Sequence, residues 1–169
     1  PKDTLALLRT AEEAGAPSKI VTSVKASNDE GKLRMVEKIE DAFGSVKGKR
    51  IAVLGLTFKP NTDDMRDSPS LVILPELISR GAVIQAYDPE GMAEAKKLLD
   101  IETYPDAYAA LEGADGVVIL TEWNEFRALD LAKVKQLLNH PLMVDLRNIY
   151  KLKEMVEAGF TYVSIGRPN

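Results

Sequence analysis

The sequence predicts an α/β protein: a doubly wound parallel sheet preceded by a long helical segment. Three observations carry that prediction. From residue 51 onward, apolar runs of strand length alternate with segments of helical spacing. The runs are apolar on both faces, as in strands covered from above and below. Residues 1 to 44 contain no such run, and their apolar residues recur at helical intervals. A sheet covered in this way is Rossmann-like, and its ligands bind beyond the carboxyl ends of the strands.

Each element follows from local chemistry. Asp3 can cap a first helix through "TLALLRTAEEAG", with Gly15 as its stop. A second helix is predicted from Ser18 to Gly44, with Ile20, Val21, Val24, Leu33, Val36, Ile39 and Phe43 toward one face. It would span about 40 Å, more than a small domain needs to cover its own sheet. Its apolar face is therefore expected to pack on a second copy, making a homodimer through residues 18–44. Gly31 is the point where this helix is most easily interrupted. The linker "SVKGKR" separates a helical segment, residues 1–46, from a sheet domain, residues 47–169. Strands are expected at 51–56, 83–87, 101–104, 116–120, 142–146 and 162–165. Helices are expected near 69–80, 91–99, 106–112, 130–138 and 151–158. Crossovers between the strands should be right-handed.

Bulk properties narrow the function. Of 169 residues, 45% are hydrophobic and 28% charged, an ordinary globular balance. The net charge of −4 argues against general affinity for nucleic acid or acidic membranes. No apolar run approaches a membrane span, and no signal-peptide pattern is present. The absence of cysteine rules out disulfides, thiolate metal sites and a cysteine nucleophile within this chain, and agrees with a cytoplasmic location. The chain opens on Pro1 rather than methionine, so a fragment of something longer is expected.

The most informative stretch is "RIAVLGLTFKPNTDDMRDSPS", Arg50 to Ser70. It starts as a dinucleotide-binding turn would, yet only Gly55 is present of the three glycines that let backbone approach a pyrophosphate. A free-standing NAD-binding domain is therefore disfavoured. The next helix is expected to start at Ser68-Pro69, a cap followed by proline in the first turn. Lys59 suits a phosphate or sugar hydroxyl, or simply solvent. Phe58 suits a ligand's flat face or core packing. Arg66 can pair with Asp63, Asp64 or Asp67, or point outward to an anion. The three aspartates lack metal-loop spacing, so no metal site is expected. Elsewhere on the rim, Arg147 can grip a diphosphate or pair with Asp145. Asp88 is better read as a turn before Pro89 than as a ribose ligand. Trp123 reads as packing, and His140 as a surface histidine.

"GLTFKPNTDDMRDSPS" resembles the signature of the C-terminal domain of nucleotide-sugar dehydrogenases, above all the UDP-glucose 6-dehydrogenases. "AYDP", "TEW" and "VDLRN" continue the resemblance, and the opening "PKD" is similar to the end of the family motif Cys-Phe-Pro-Lys-Asp. The long string is specific, the shorter pieces only in combination.

The resemblance implies an enzyme with an N-terminal NAD-binding domain, a central dimer-forming helical region and a C-terminal domain that binds the UDP-sugar. Such enzymes oxidise the sugar C6 alcohol to a carboxylate in two steps, using two NAD and a cysteine that carries a thiohemiacetal and then a thioester. This chain would begin just after that cysteine and be inactive alone. Carried over, Asp3 would help position or activate water. Pro1 and Lys2 would flank the nicotinamide. Phe58, Lys59 and Arg147 would bind substrate, although Leu146 stands where some members have glycine. Arg66 would reach the NAD held by the other domain. Lys59 and Arg147, at the tips of the first and fifth strands, would face one mouth in a 3-2-1-4-5 order. Two rival expectations are a dehydrogenase of UDP-N-acetylmannosamine or GDP-mannose, and a non-catalytic dimerisation and binding module.

Overall fold

The structure, a computed structural model, describes residues 2–16 and 18–166, excepting the side chains of residues 2–5. Pro1, and the side chains of Lys2 and Asp3, therefore lie outside the described residues.

Two helices open the chain: α1 (Lys2–Glu13) and α2 (Lys19–Phe43). Ser18 caps α2 by accepting the Val21 N–H, and the helix ends at Gly44 in the left-handed region. It runs unbroken through Gly31, over about 37 Å for its 25 residues. Its apolar residues divide into two sets. Val36 and Ile39 are fully buried, whereas Ile20, Val24 and Leu33 are exposed. The second half of α2 thus belongs to the same core as the sheet, packed beside α3 (Ser70–Ser79). Each such buried side chain contributes about 1.5–3 kcal/mol relative to exposure.

Six strands follow in alternation with helices. They are β1 (Arg50–Leu54), β2 (Val83–Tyr87), β3 (Glu102–Thr103), β4 (Gly116–Ile119), β5 (Leu142–Asp145) and β6 (Thr161–Ser164). The sheet order is β3-β2-β1-β4-β5-β6, with every pair parallel. Alternate residues of β1 serve opposite faces. Ile51 and Val53 enter the cluster beneath α2 and α3, while Ala52 and Leu54 enter the cluster on the other side. That second layer consists of α5 (Ala107–Leu111), α7 (Leu131–Leu137) and α8 (Leu152–Glu157), while α4 (Met92–Leu98) follows β2. One element was not foreseen: α6 (Asn124–Arg127), a single turn that buries Phe126. Its four residues are too few to show a period. Among the described residues, no helix is long and apolar enough to cross a membrane.

Candidate functional site

The carboxyl ends of the strands form a rim, and the loop after β1 dominates it. β1 runs into Gly55, whose N–H still bonds to the Tyr87 carbonyl at 2.8 Å. At this point β1 and β4 approach closely. A Cβ on Gly55 would lie 2.5 Å from Thr121 Cβ and 2.6 Å from Thr121 N, and its φ is +91°. Glycine is needed here for strand packing, not for a phosphate.

Beyond Gly55 the backbone is fastened from three sides. Asp88 at the tip of β2, fully buried, accepts the N–H groups of Leu56 (2.6 Å) and Thr57 (3.1 Å) on Oδ2. Thr121 at the tip of β4 donates its hydroxyl to the Thr57 carbonyl at 2.7 Å. Ser68 and Ser70 both donate to the Leu56 carbonyl at 2.6 Å. Ser68 also accepts the Ser70 N–H at 3.3 Å; α3 starts at Ser70 with Pro69 as its N-cap (φ −56°, ψ −29°), one residue later than the expected serine-proline start. The excursion closes through Phe58 N–H to the Asp64 carbonyl at 2.9 Å. Asn61 and Asp67 take positive φ of 60°, a conformation these two residue types tolerate.

Arg147 follows β5. Its backbone N–H bonds to the buried Asp145 carboxylate at 2.9 Å. The side-chain pairing with Asp145 weighed from the sequence is not formed. Asp145 is instead occupied by the Tyr150 N–H and the Tyr162 hydroxyl. The Arg147 guanidinium runs toward β4 and β1, where Nε donates to the Leu120 carbonyl (2.7 Å) and Nη2 to the Phe58 carbonyl (3.4 Å). Glu122 Oε2 lies 3.0 Å from Nε, a Coulombic contact not aligned to accept its proton. The other guanidinium donors bond to no protein group among the described residues, leaving them for an anion.

Phe58 and Arg147 line one cavity of about 700 Å³. Its floor is apolar, from Ile73, Leu120, Leu146 and Ile165, and α2 forms its other wall through Lys25, Asn28 and Lys32. Volume, apolar lining and a few directed polar groups are the marks of a small-molecule site. Lys59, one residue from Phe58, is exposed and does not line the cavity. Arg66 sits apart, four-fifths exposed and clamped bidentately by Asp64 at 2.9 and 2.7 Å. It lines a separate cleft with Glu94 and Leu98. Its hydrogen bonds hold the Asp64 carboxyl down at about 2. Trp123 is buried and His140 exposed, as their types suggested. No acidic or histidine cluster able to hold a metal occurs among the described residues.

The sequence reading missed the wall supplied by α2. Lys25, Asn28, Lys32 and Met35 fall at intervals of three and four, so one helical face was legible.

Residues 52–152 match the family model described as the UDP-binding domain of the UDP-glucose/GDP-mannose dehydrogenase family. The chain belongs to that family. The UDP-glucose 6-dehydrogenase of Rhizobium meliloti is 52% identical over all of this chain, which spans 39% of that protein. The UDP-glucose 6-dehydrogenase TuaD of Bacillus subtilis is 48% identical over 99% of the chain, which spans 37% of that protein. The chain therefore spans under half of the curated relatives it matches. Among solved structures, a UDP-glucose dehydrogenase from the archaeon Pyrobaculum islandicum superposes with a TM-score of 0.78 at 33% identity. That match covers 96% of this chain and 36% of the archaeal one.

A nicotinamide dinucleotide held at the first βα turn needs backbone N–H groups free to meet its pyrophosphate. In this UDP-binding domain those of Leu56 and Thr57 are already taken by Asp88. The turn does not fit that cofactor.

Proposed function

We propose that this chain is the C-terminal, nucleotide-sugar-binding part of an NAD-dependent UDP-glucose 6-dehydrogenase, a cytoplasmic enzyme converting UDP-glucose to UDP-glucuronate. The observation that carries the reading is the convergence of Phe58 and Arg147 on one apolar cavity at the rim. A sugar diphosphate brings about two negative charges, and an arginine already oriented by two carbonyls meets them with little loss of freedom. Phe58 offers a flat face to the base or sugar. Lys59, exposed beside it, supplies a second cation once the ligand extends past the cavity mouth. Lys25 and Lys32 add positive charge from α2, although Asp29 offsets Lys25 at 2.7 Å. The high identity to two UDP-glucose 6-dehydrogenases supports glucose as the sugar.

In this reading NAD would supply the hydride acceptor and would be held by a part of the enzyme other than this domain, with Pro1, Lys2 and Arg66 facing it. Asp3 would act on water near the reacting carbon. This chain's own work is to bind and orient the nucleotide sugar. Residues 1–46 would act as the dimerisation segment, and the exposed Leu7, Ile20, Val24 and Leu33 support an apolar contact with a second copy.

The test is steady-state kinetics of the full-length enzyme with a panel of nucleotide sugars. UDP-glucose is expected to give the highest kcat/KM. Lys59→Ala and Arg147→Ala are each expected to raise KM for it by at least about tenfold, the loss of one charge-assisted contact. Unchanged KM in both variants overturns the site.

A further inference from the structure

We infer that Asp88 is a positioning residue for the nucleotide-sugar site. The inference rests on the site proposed above and asks what holds Phe58 and Lys59 in place. Asp88 is fully buried, yet it faces no basic partner among the described residues. Six donors converge on it instead. Oδ2 receives Leu56 N–H, Thr57 N–H, the Thr57 hydroxyl (3.2 Å) and the Trp123 indole N–H (3.2 Å), while Oδ1 receives Glu90 N–H (3.0 Å) and Gly91 N–H (2.7 Å).

The placement makes it a brace between three strand tips. The β1–β2 ladder ends with Gly55 N–H to the Tyr87 carbonyl, and the carboxylate of the residue after Tyr87 takes over the next two N–H groups of the loop, those of Leu56 and Thr57. Through Trp123 it ties the same point to β4. The Thr57 hydroxyl, with one proton to give, stands between Asp88 and the Lys59 carbonyl (3.1 Å). The backbone entering Phe58 and Lys59 is therefore set by this carboxylate. Steric evidence points the same way. The turn that Asp88 forms with Glu90 and Gly91 docks on Thr57 so closely that a Cβ on Gly91 would lie 2.3 Å from Thr57 Cγ2. A carboxylate is required because every donor around it is an N–H or O–H; an amide would turn two of its own donors toward them.

The experiment uses the full-length enzyme and two variants that disturb the brace differently. Asp88→Asn replaces one of the two acceptor oxygens by an NH2 donor, whereas Gly91→Ala keeps the charge but presses its Cβ on Thr57 Cγ2 (2.3 Å) and, more lightly, on Asp88 Oδ1 (3.2 Å). Both are expected to raise KM for UDP-glucose, Asp88→Asn by about tenfold. In both, kcat and KM for NAD should stay within about twofold. Combining either with Lys59→Ala should raise KM less than the product of the single effects, because they act through one contact. A merely structural role would lower Tm and the yield of active enzyme with KM unchanged, and that result overturns the inference. If Asp88→Asn does not fold, Gly91→Ala decides alone. Raised KM in Lys59→Ala and Arg147→Ala beside normal KM in the brace variants sinks this inference and spares the site. Normal KM in Lys59→Ala and Arg147→Ala sinks both.

Discussion

Replacing Gly55 by alanine isolates what the one glycine of the β1 turn is for. The new Cβ would stand 2.5 Å from Thr121 Cβ and 2.6 Å from Thr121 N. Ordinary contact between such atoms is about 3.5–4.0 Å, so the tips of β1 and β4 must separate by about 1 Å. Neither neighbour can rotate away, because one is backbone and the other is a Cβ. The movement would strain Leu120 N–H to the Leu54 carbonyl (2.9 Å) and Thr121 hydroxyl to the Thr57 carbonyl (2.7 Å). Overpacking of this kind costs about 1–3 kcal/mol, in addition to about 1–2 kcal/mol for a side chain at positive φ. Gly44→Ala is the control. That glycine has φ +69° but nothing within 4 Å of its would-be Cβ. It carries the backbone penalty and the altered unfolded-state entropy without the overlap. Urea unfolding followed by fluorescence of the single tryptophan, the buried Trp123, reads both. With m of about 2 kcal/mol/M, Gly55→Ala should unfold about 1 M lower than Gly44→Ala. Equal midpoints would refute the packing account of Gly55.

Two further outcomes follow from the same structure. Ile39→Ala should cost about 2–5 kcal/mol, whereas Ile20→Glu with Val24→Glu should leave urea stability nearly unchanged and give a monomer by light scattering. Unaltered mass in the double variant would remove the proposed dimer face. Asp64 sets an acid-range test. Its folded carboxyl is held at about 2 by Arg66, against an ordinary 3.8, so the charged form is the one stabilised. That contribution is complete above the ordinary value and disappears as pH falls from about 4 to about 2. The stability gap between the protein and Asp64→Asn should narrow to nothing over that interval in acid titrations monitored by Trp123. A gap that does not change with pH would contradict the pairing.

The order of strands and helices was legible because each buried strand is a continuous apolar run and each covering helix repeats at its own period. The parallel arrangement followed from that alternation. So did the placement of Phe58 and Arg147 just past strand ends, where they line one cavity. The short turn at Asn124–Arg127 was not legible, for want of length. Nor was the division of α2, because the spacing of Ile20, Val24, Leu33, Val36 and Ile39 is the same whether a residue meets a core or water.

Partnerships across long separations belonged to the tertiary structure alone. Asp88 lies 31 positions from Thr57 and 35 from Trp123, and Arg147 lies 89 from Phe58. A side chain's partner at such a distance depends on how far each strand extends past its neighbour, which residue types do not encode locally. The sequence by itself determined that Gly55 stands without its companion glycines and that Lys59 and Arg147 sit on the rim. Only the folded chain decided that Gly55 serves Thr121, that Asp88 occupies the N–H groups a dinucleotide would use, and that Arg147 turns from Asp145 toward Phe58. Those outcomes follow from the close packing of three strand tips, where each buried donor must find an acceptor within reach.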